Sequence, residues 1–164
     1  MRINESTLVA APVGTVWRYL ADPENYLRFL SGITHWEVVG DQVNGLGARY
    51  RILVRVGAAE VGGLIEMVEW SEPFDIAWHS VTGVDHRGRF RIREQGGGRT
   101  RIEYRFAYGV VGGGIAGILA EVAAALAVRG QMRRSLRQLK RQVEHEQRRL
   151  EVERRRAARA PARR

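Results

Sequence analysis

The sequence predicts an α+β domain: a curled antiparallel sheet of seven strands wrapped around a long C-terminal helix, with two short helices between the first two strands. Three observations carry that reading. Residues 34–108 alternate apolar and polar side chains in segments separated by turn-forming residues, as a half-buried meander does. Ile115, Ile118, Leu119, Val122 and Leu126 recur at helical spacing, and beyond Gly130 the pattern resumes as Met132, Leu136, Leu139 and Val143. Two proline-led segments stand between one lone strand and all the others.

Taken in order, Arg2 to Val9 is the first strand. Pro12 opens a helix with Val13, Val16, Trp17 and Leu20 on one side. Asp22-Pro23 opens a second through Tyr26, Phe29 and Leu30, which Gly32 ends. His35 to Val39 is a strand, and GDQVNGLG is its turn. Ala48 to Val56 puts Tyr50, Ile52, Val54 and Val56 on one face and Arg49, Arg51 and Arg55 on the other. Glu60 to Trp70 returns after the GAA loop. Pairing Val56 with Val61 sets Ile52 against Ile65, Tyr50 against Met67 and Arg51 against Glu66. Phe74 to Val81 follows the Ser71-Glu72-Pro73 turn.

The last two strands, Arg87 to Glu94 and Thr100 to Tyr108, flank a QGGGR loop. Pairing Glu94 with Thr100 puts Ile92 opposite Ile102, Phe90 opposite Tyr104 and Gly88 opposite Phe106. Every apolar residue then shares one face, which a slip of one residue would destroy. The other face carries Arg87, Arg89, Arg91, Arg93, Arg101 and Arg105, with Glu103 opposite Arg91, and suits the wet side of an antiparallel sheet.

The helix from Gly109 to Val143 would be on the order of 45 Å long at ~1.5 Å per residue. Its two apolar stripes differ in direction by roughly 60–90° at about 100° per residue. A bend near Gly130 would keep both on one curved body. Gly109 to Val128 is about as long as a membrane span. It is mostly Gly and Ala, however, and includes Glu121, an acid that costs ~2.5–3.5 kcal/mol in mid-membrane, so a helix lying on a sheet is the better reading. The inward stretch contains Gly117, Ala120, Ala123, Ala124 and Ala125, and the facing sheet residues are not large enough to compensate. A hollow is expected between sheet and helix.

Composition narrows the chemistry. At 164 residues, one domain is expected. The absence of cysteine excludes disulfides, thiolate metal sites and a cysteine nucleophile. RINESTLVAAP after Met1 is no apolar signal region, so a cytoplasmic location is expected. Of the net +9, residues 129–164 hold 14 basic against 4 acidic side chains, and the first 128 are nearly neutral.

AAPVGTVWRYLADPENYLRFLSGI, WEVVG at Trp36 to Gly40, EWSEP at Glu69 to Pro73 and RGQMRRSLRQLK at Arg129 to Lys140 resemble the START-like helix-grip (SRPBCC) superfamily. The similarity is to bacterial polyketide cyclase/dehydrase-type members, over roughly residues 2–146. The resemblance implies a pocket for a hydrophobic small molecule between sheet and last helix, holding a lipid, fatty acyl or polyketide-like ligand. Trp36, Tyr50, Ile52, Val54, Ile65, Met67, Trp78, Ser80, Phe90, Tyr104, Phe106, Ile118 and Val122 are placed in it. Superfamily members include carriers, aromatase/cyclases and receptors, so an enzyme of the cyclase/aromatase/dehydratase kind is the alternative to a binder or carrier. Aromatase/cyclases are thought to use a cavity arginine with tyrosine and tryptophan. Met67 stands at the arginine's place, which argues against ring closure.

Tyr50, Tyr104 and Ser80 could donate to a carbonyl, and His79 with Asp85 and His86 could form an acid–base set at the cavity mouth. The ordinary roles are pocket lining for the first three and a solvated turn for the others. Glu121, at the edge of the helix stripe, and Glu69, sharing the inward parity of Ile65 and Met67, are further candidates for a polar anchor, with a solvent-reached position the plainer reading of each. The histidines have no metal-ligand spacing, and no Ser-His-Asp order or phosphate loop occurs. GVVGGG lacks the spacing and downstream strand of a dinucleotide fingerprint. No metal and no cofactor is expected. The domain is placed at residues 1–146. The tail at 147–164 is read as helix fraying before Pro161, supported by Glu144–Arg148 and Glu151–Arg155 pairs. Its arginines offer a second alternative, weak contact with anionic membrane, at the inner face, or with nucleic acid. Monomer and homodimer both remain open.

Overall fold

The computed structural model describes residues 1–56, 58–109 and 114–159, apart from the side chains of 56, 59 and 114–122. The elements are β1 (Arg2–Val9), α1 (Val13–Ala21), a 3-10 turn (Pro23–Asn25), α2 (Tyr26–Phe29), β2 (Ile33–Val39), β3 (Arg49–Val56), β4 (Ala59–Ser71), β5 (Asp75–Ser80), β6 (His86–Glu94), β7 (Thr100–Tyr108) and α3 (Gly114–Arg159). The strands form one antiparallel sheet in the order β1-β7-β6-β5-β4-β3-β2. This is the helix-grip arrangement: the meander runs through β2 to β7, and β1 joins beside β7.

Local chemistry sets the boundaries. Asp22 accepts the Glu24 backbone N–H at 3.0 Å, so the turn before α2 starts capped. Thr100 is buried, and its hydroxyl donates to the Ala11 carbonyl at 2.7 Å, tying the start of α1 to β7. Val16, Trp17 and Leu20 bury the inner side of α1.

β6 and β7 pair as their side-chain parity requires, with Ile92 opposite Ile102, Phe90 opposite Tyr104 and Gly88 opposite Phe106. β3 and β4 do not take the expected register. Val56 pairs with Ala59, Ile52 with Gly63, Tyr50 with Ile65, and Arg49 rather than Arg51 meets Glu66, at 2.7 Å. Only two residues separate the strand ends, the commonest hairpin connection, and a shift of two leaves every side chain on its own face. A second correction concerns Glu69. The register of β4 against β5 shifts between Met67 and Glu69. The additional residue turns Glu69 outward to an ion pair with Arg89, while Val68 is exposed.

On the outer face Asp75 lies among three guanidinium groups, 2.7 Å from Arg93, 3.4 Å from Arg91 and 3.9 Å from Arg89. Arg105 pairs with Glu103 at 2.8 Å. Asp75, Glu69 and Glu103 thus pair with four of the six ladder arginines, Arg89, Arg91, Arg93 and Arg105.

α3 is continuous through Gly130. Met132, Leu136, Leu139 and Val143 are buried, but Leu126, expected on an inward stripe, is 65% exposed. It lies six residues before Met132, which at about 100° per residue places it ~120° off that line, so an unbroken helix cannot present both. Ile115, Ile118, Leu119, Val122 and Glu121 lie outside the described side chains. The second half of α3 is pinned along its length. Lys140 donates to the Leu8 carbonyl at 2.7 Å, Glu144 accepts the Ala10 N–H at 2.8 Å, and Thr15 donates to Gln147 at 2.8 Å. Glu144 therefore pairs with Lys140 rather than with Arg148, because it is drawn to a backbone amide and not to a solvated guanidinium. Beyond it, Arg149 bridges Glu146 and Glu153, and Glu151 accepts from Gln147 instead of pairing with Arg155. Among the described residues no helix is long and apolar enough to cross a membrane.

Candidate ligand cavity

A cavity of about 350 Å³ lies between the inner face of the sheet and α3. Its sheet wall is Trp36 on β2, Ile52 and Val54 on β3, Ile65 on β4, Trp78 on β5, and Tyr104 and Phe106 on β7. Its helix wall includes Ala124, Val128 and Met132. Small residues on α3 make the space: Ala124 and Val128 stand where Leu136 and Leu139 stand further along.

Glycine shapes two further walls. Trp78 faces Gly88 across β5 and β6, and a β-carbon at Gly88 would collide with the indole. At the other end the backbone of Gly62 and Gly63 lies directly against that of Thr82 and Gly83. Thr82 secures the contact by accepting the Leu64 N–H at 3.0 Å. The β5–β6 loop can therefore lean over β4, bringing Val84 and His86 to the cavity beside Val61. Val61 and Val84 are both exposed as well as lining, so this end is the mouth.

The other residues placed in the cavity sit elsewhere. Tyr50, Met67 and Phe90 are fully buried and belong to the packed core, Phe90 under Phe29 with ring centroids 6.0 Å apart. They share the inward parity of the lining residues, but neighbouring side chains cover them. Ser80 does not line the space, and its hydroxyl accepts the His86 N–H at 3.0 Å. Ile118 and Val122 fall outside the described side chains. His79 is exposed on the outer face of β5, opposite Arg87 and Glu66. With Asp85 it borders an outer groove and not the cavity, and of the three only His86 lines both. Leu30, Ser31, Ile33, Tyr108, Gln131 and Ser135 complete the lining, beyond what sequence reasoning places there. Continuing the Met132 stripe backward by four and eight residues leads to Val128 and Ala124. Nothing local in the sequence marks the others.

The polar groups around the cavity are mostly engaged. Gln131 donates to the Arg55 carbonyl, Ser135 accepts the Ser31 N–H at 2.8 Å and donates to the Gln131 carbonyl at 2.9 Å, and His86 Nδ1 meets the Val84 carbonyl at 2.8 Å. Tyr50 donates to the Val43 carbonyl at 2.7 Å, and burial pushes its phenol up to about 12. Burial also raises Tyr104 and, with Tyr50 and Tyr104 close by, Tyr26. All three are neutral near pH 7. The Tyr104 hydroxyl has no hydrogen-bond partner among the described residues, and Tyr26 Oη and Trp36 Nε1 are buried without one. Trp36 stacks on Tyr26 at 4.2 Å and lies 4.8 Å from Tyr50. No arginine or lysine lines the cavity among the described residues, and no cluster of His, Asp or Glu there could hold a metal.

The family model described as "Polyketide cyclase / dehydrase and lipid transport" matches residues 1–144. The chain belongs to this family. A search of curated proteins by sequence finds no match. Among solved structures, TTHA0849 from Thermus thermophilus has a TM-score of 0.76 at 21% identity, covering 87% of this chain and 97% of that one. The Zhui aromatase/cyclase from Streptomyces sp. R1128 has a TM-score of 0.74 at 19% identity, covering 88% and 93%. A START superfamily protein from Mycobacterium smegmatis has a TM-score of 0.59 at 18% identity, covering 79% and 95%. At these identities the likeness shows the fold alone. The family's stated range, from cyclase and dehydrase to lipid transport, leaves the choice to the cavity's own chemistry.

Proposed function

We propose that the protein binds a hydrophobic small molecule, of lipid, fatty acyl or polyketide-like character, in the cavity under the first half of α3. The observation that carries this is the lining: aliphatic and aromatic side chains around a space open at one end, with few polar groups free to act. Transfer of the ligand between sites would make the protein a carrier. Native mass spectrometry of protein purified from its host tests the reading. A co-purifying apolar molecule, displaced when the cavity is filled by Ala124→Leu, is the expected result. Ligand-free protein that also fails to take up an apolar dye would overturn it.

Catalysis of the cyclase or dehydrase kind is the second reading, favoured by the unpartnered Tyr104 hydroxyl beside the cavity. Against it stand Met67, packed in the core at the position where the family resemblance implies an arginine, and the missing cation in the described lining. Turnover of a poly-ketone substrate that is lost in Tyr104→Phe would promote it. A third reading concerns the end of α3, where residues 151–159 are exposed and include Arg154, Arg155, Arg156 and Arg159. Charge alone would bring this segment to an anionic membrane surface or to nucleic acid. Removing residues 151–164 should abolish binding to anionic vesicles or RNA if it holds, and unchanged binding would dismiss it.

A further inference from the structure

We infer that the cavity takes neutral ligands bearing a hydrogen-bond acceptor, such as a ketone, ester or amide oxygen, in preference to carboxylates on the same carbon skeleton. This deepens the binding reading above and rests on it. An ionised carboxylate taken out of water needs a cation or several donors, and without them the cost is several kcal/mol or more. Among the described residues the lining offers no cation. Arg134, beside the cavity wall, is turned to the Ser31 hydroxyl at 3.2 Å. The stretch 110–122 cannot supply one either, since its sequence holds no basic residue and a single acid, Glu121.

The donors are few, and most are spent. Gln131 and Ser135 are held by backbone carbonyls, and His86 Nδ1 by that of Val84. The hydroxyls left are those of Ser31, whose oxygen already accepts from Arg134, and of Tyr104, 7% exposed as a residue and without a described partner. Tyr26 Oη and Trp36 Nε1 are also unpartnered, but both atoms are closed off from the space, so they do not serve a guest. A phenol O–H suits one carbonyl oxygen, which needs a donor but carries no charge to neutralise. Leaving such donors unmade is costly, so a ligand oxygen that reaches Tyr104 gains what the free protein lacks.

The test is displacement of the uncharged dye N-phenylnaphthylamine by laurate and by methyl laurate, which differ in one ester methyl and one charge. Methyl laurate is expected to bind about tenfold or more tighter, the equivalent of one hydrogen-bond and charge discrimination of this size. Tyr104→Phe should weaken methyl laurate by about tenfold relative to the dye, which has no carbonyl for the hydroxyl to reach. Since an ester also partitions more readily than an anion, Val128→Arg provides the charge control: a cation on the half-buried helix wall should improve laurate and weaken methyl laurate. Laurate binding as tightly as its ester, an ester indifferent to Tyr104→Phe, or laurate unmoved by Val128→Arg would each overturn the inference while the binding site stands. If neither the dye nor either lauryl compound binds, the binding reading itself falls with it.

Discussion

The two halves of the space between sheet and helix are built from the same parts and end differently. Toward the C-terminal half of α3, Leu136, Leu139 and Val143 meet Leu20, Phe29, Ile92 and Ile102 in a core closed by α1 and α2. Toward the mouth, the same helix line presents the smaller Ala124 and Val128 to Trp36, Ile52 and Trp78, and of α1 and α2 it is α2 that reaches this wall, through Tyr26 stacked on Trp36. The filled half also carries the hydrogen bonds that join Lys140, Glu144 and Gln147 to Leu8, Ala10 and Thr15. Stability is concentrated where the side chains are large, and capacity for a guest where they are small. The fold thus separates the two tasks along one helix.

Substitution in the filled half should break that separation most visibly. Leu139 is fully buried at its centre. Leu139→Ala is expected to cost ~2–5 kcal/mol by lost burial and the cavity it leaves. Urea unfolding measures the loss, and dye affinity of the folded protein should be unchanged. A comparable loss of affinity would mean that the two halves are coupled.

Gly88 lies between the halves, beneath the Trp78 indole. Gly88→Val drives branched carbons into that ring, and overpacking of this kind costs ~1–3 kcal/mol. Here stability and dye binding should fall together, because Trp78 belongs to the core and to the cavity wall. In the hollow half the pattern reverses. Ala124→Leu places a larger side chain in empty space, so stability should stay within about 1 kcal/mol while dye affinity drops by about tenfold. Fluorescence titration beside a urea curve reads both quantities on the same sample.

The sequence reveals the filled half better than the hollow one, and the reason is physical. Parity on a strand separates inside from outside, which suffices for β6 and β7, where one-residue slips are punished by Phe90, Ile92, Ile102 and Tyr104 together. Parity cannot detect a shift of two, which is how the β3–β4 register departs from expectation, nor a bulge such as that at Val68, which reverses Glu69. Nor does it measure depth. Tyr50, Met67 and Phe90 point inward like Ile52 and Ile65, yet core side chains cover them, and only the packed arrangement tells covered from open. The mouth depends on a loop leaning over Gly62 and Gly63, a long-range contact with no local signature. On α3 Leu126 and Met132 cannot both face inward, and the buried Met132 line continues to Val128 and Ala124.

The smallest expected effect probes the boundary between the halves through pH. Tyr50 is buried beside Trp36, and its hydroxyl donates to the Val43 carbonyl. Burial raises its phenol from 10.0 to about 12 in the folded protein. The unfolded chain therefore gives up this proton first. The stabilising contribution is complete below pH 10 and drains away as pH rises from there through about 12. Tyr50→Phe removes the titrating group together with one hydrogen bond. It should cost about 1 kcal/mol at neutral pH and make the alkaline decline shallower, although Tyr26 and Tyr104, also raised by burial, retain part of it. Thermal unfolding followed between pH 7 and pH 11 would show the wild-type and variant curves converging. Parallel curves would mean that Tyr50 is hydrated in the folded state, and the solid half would then end short of Trp36.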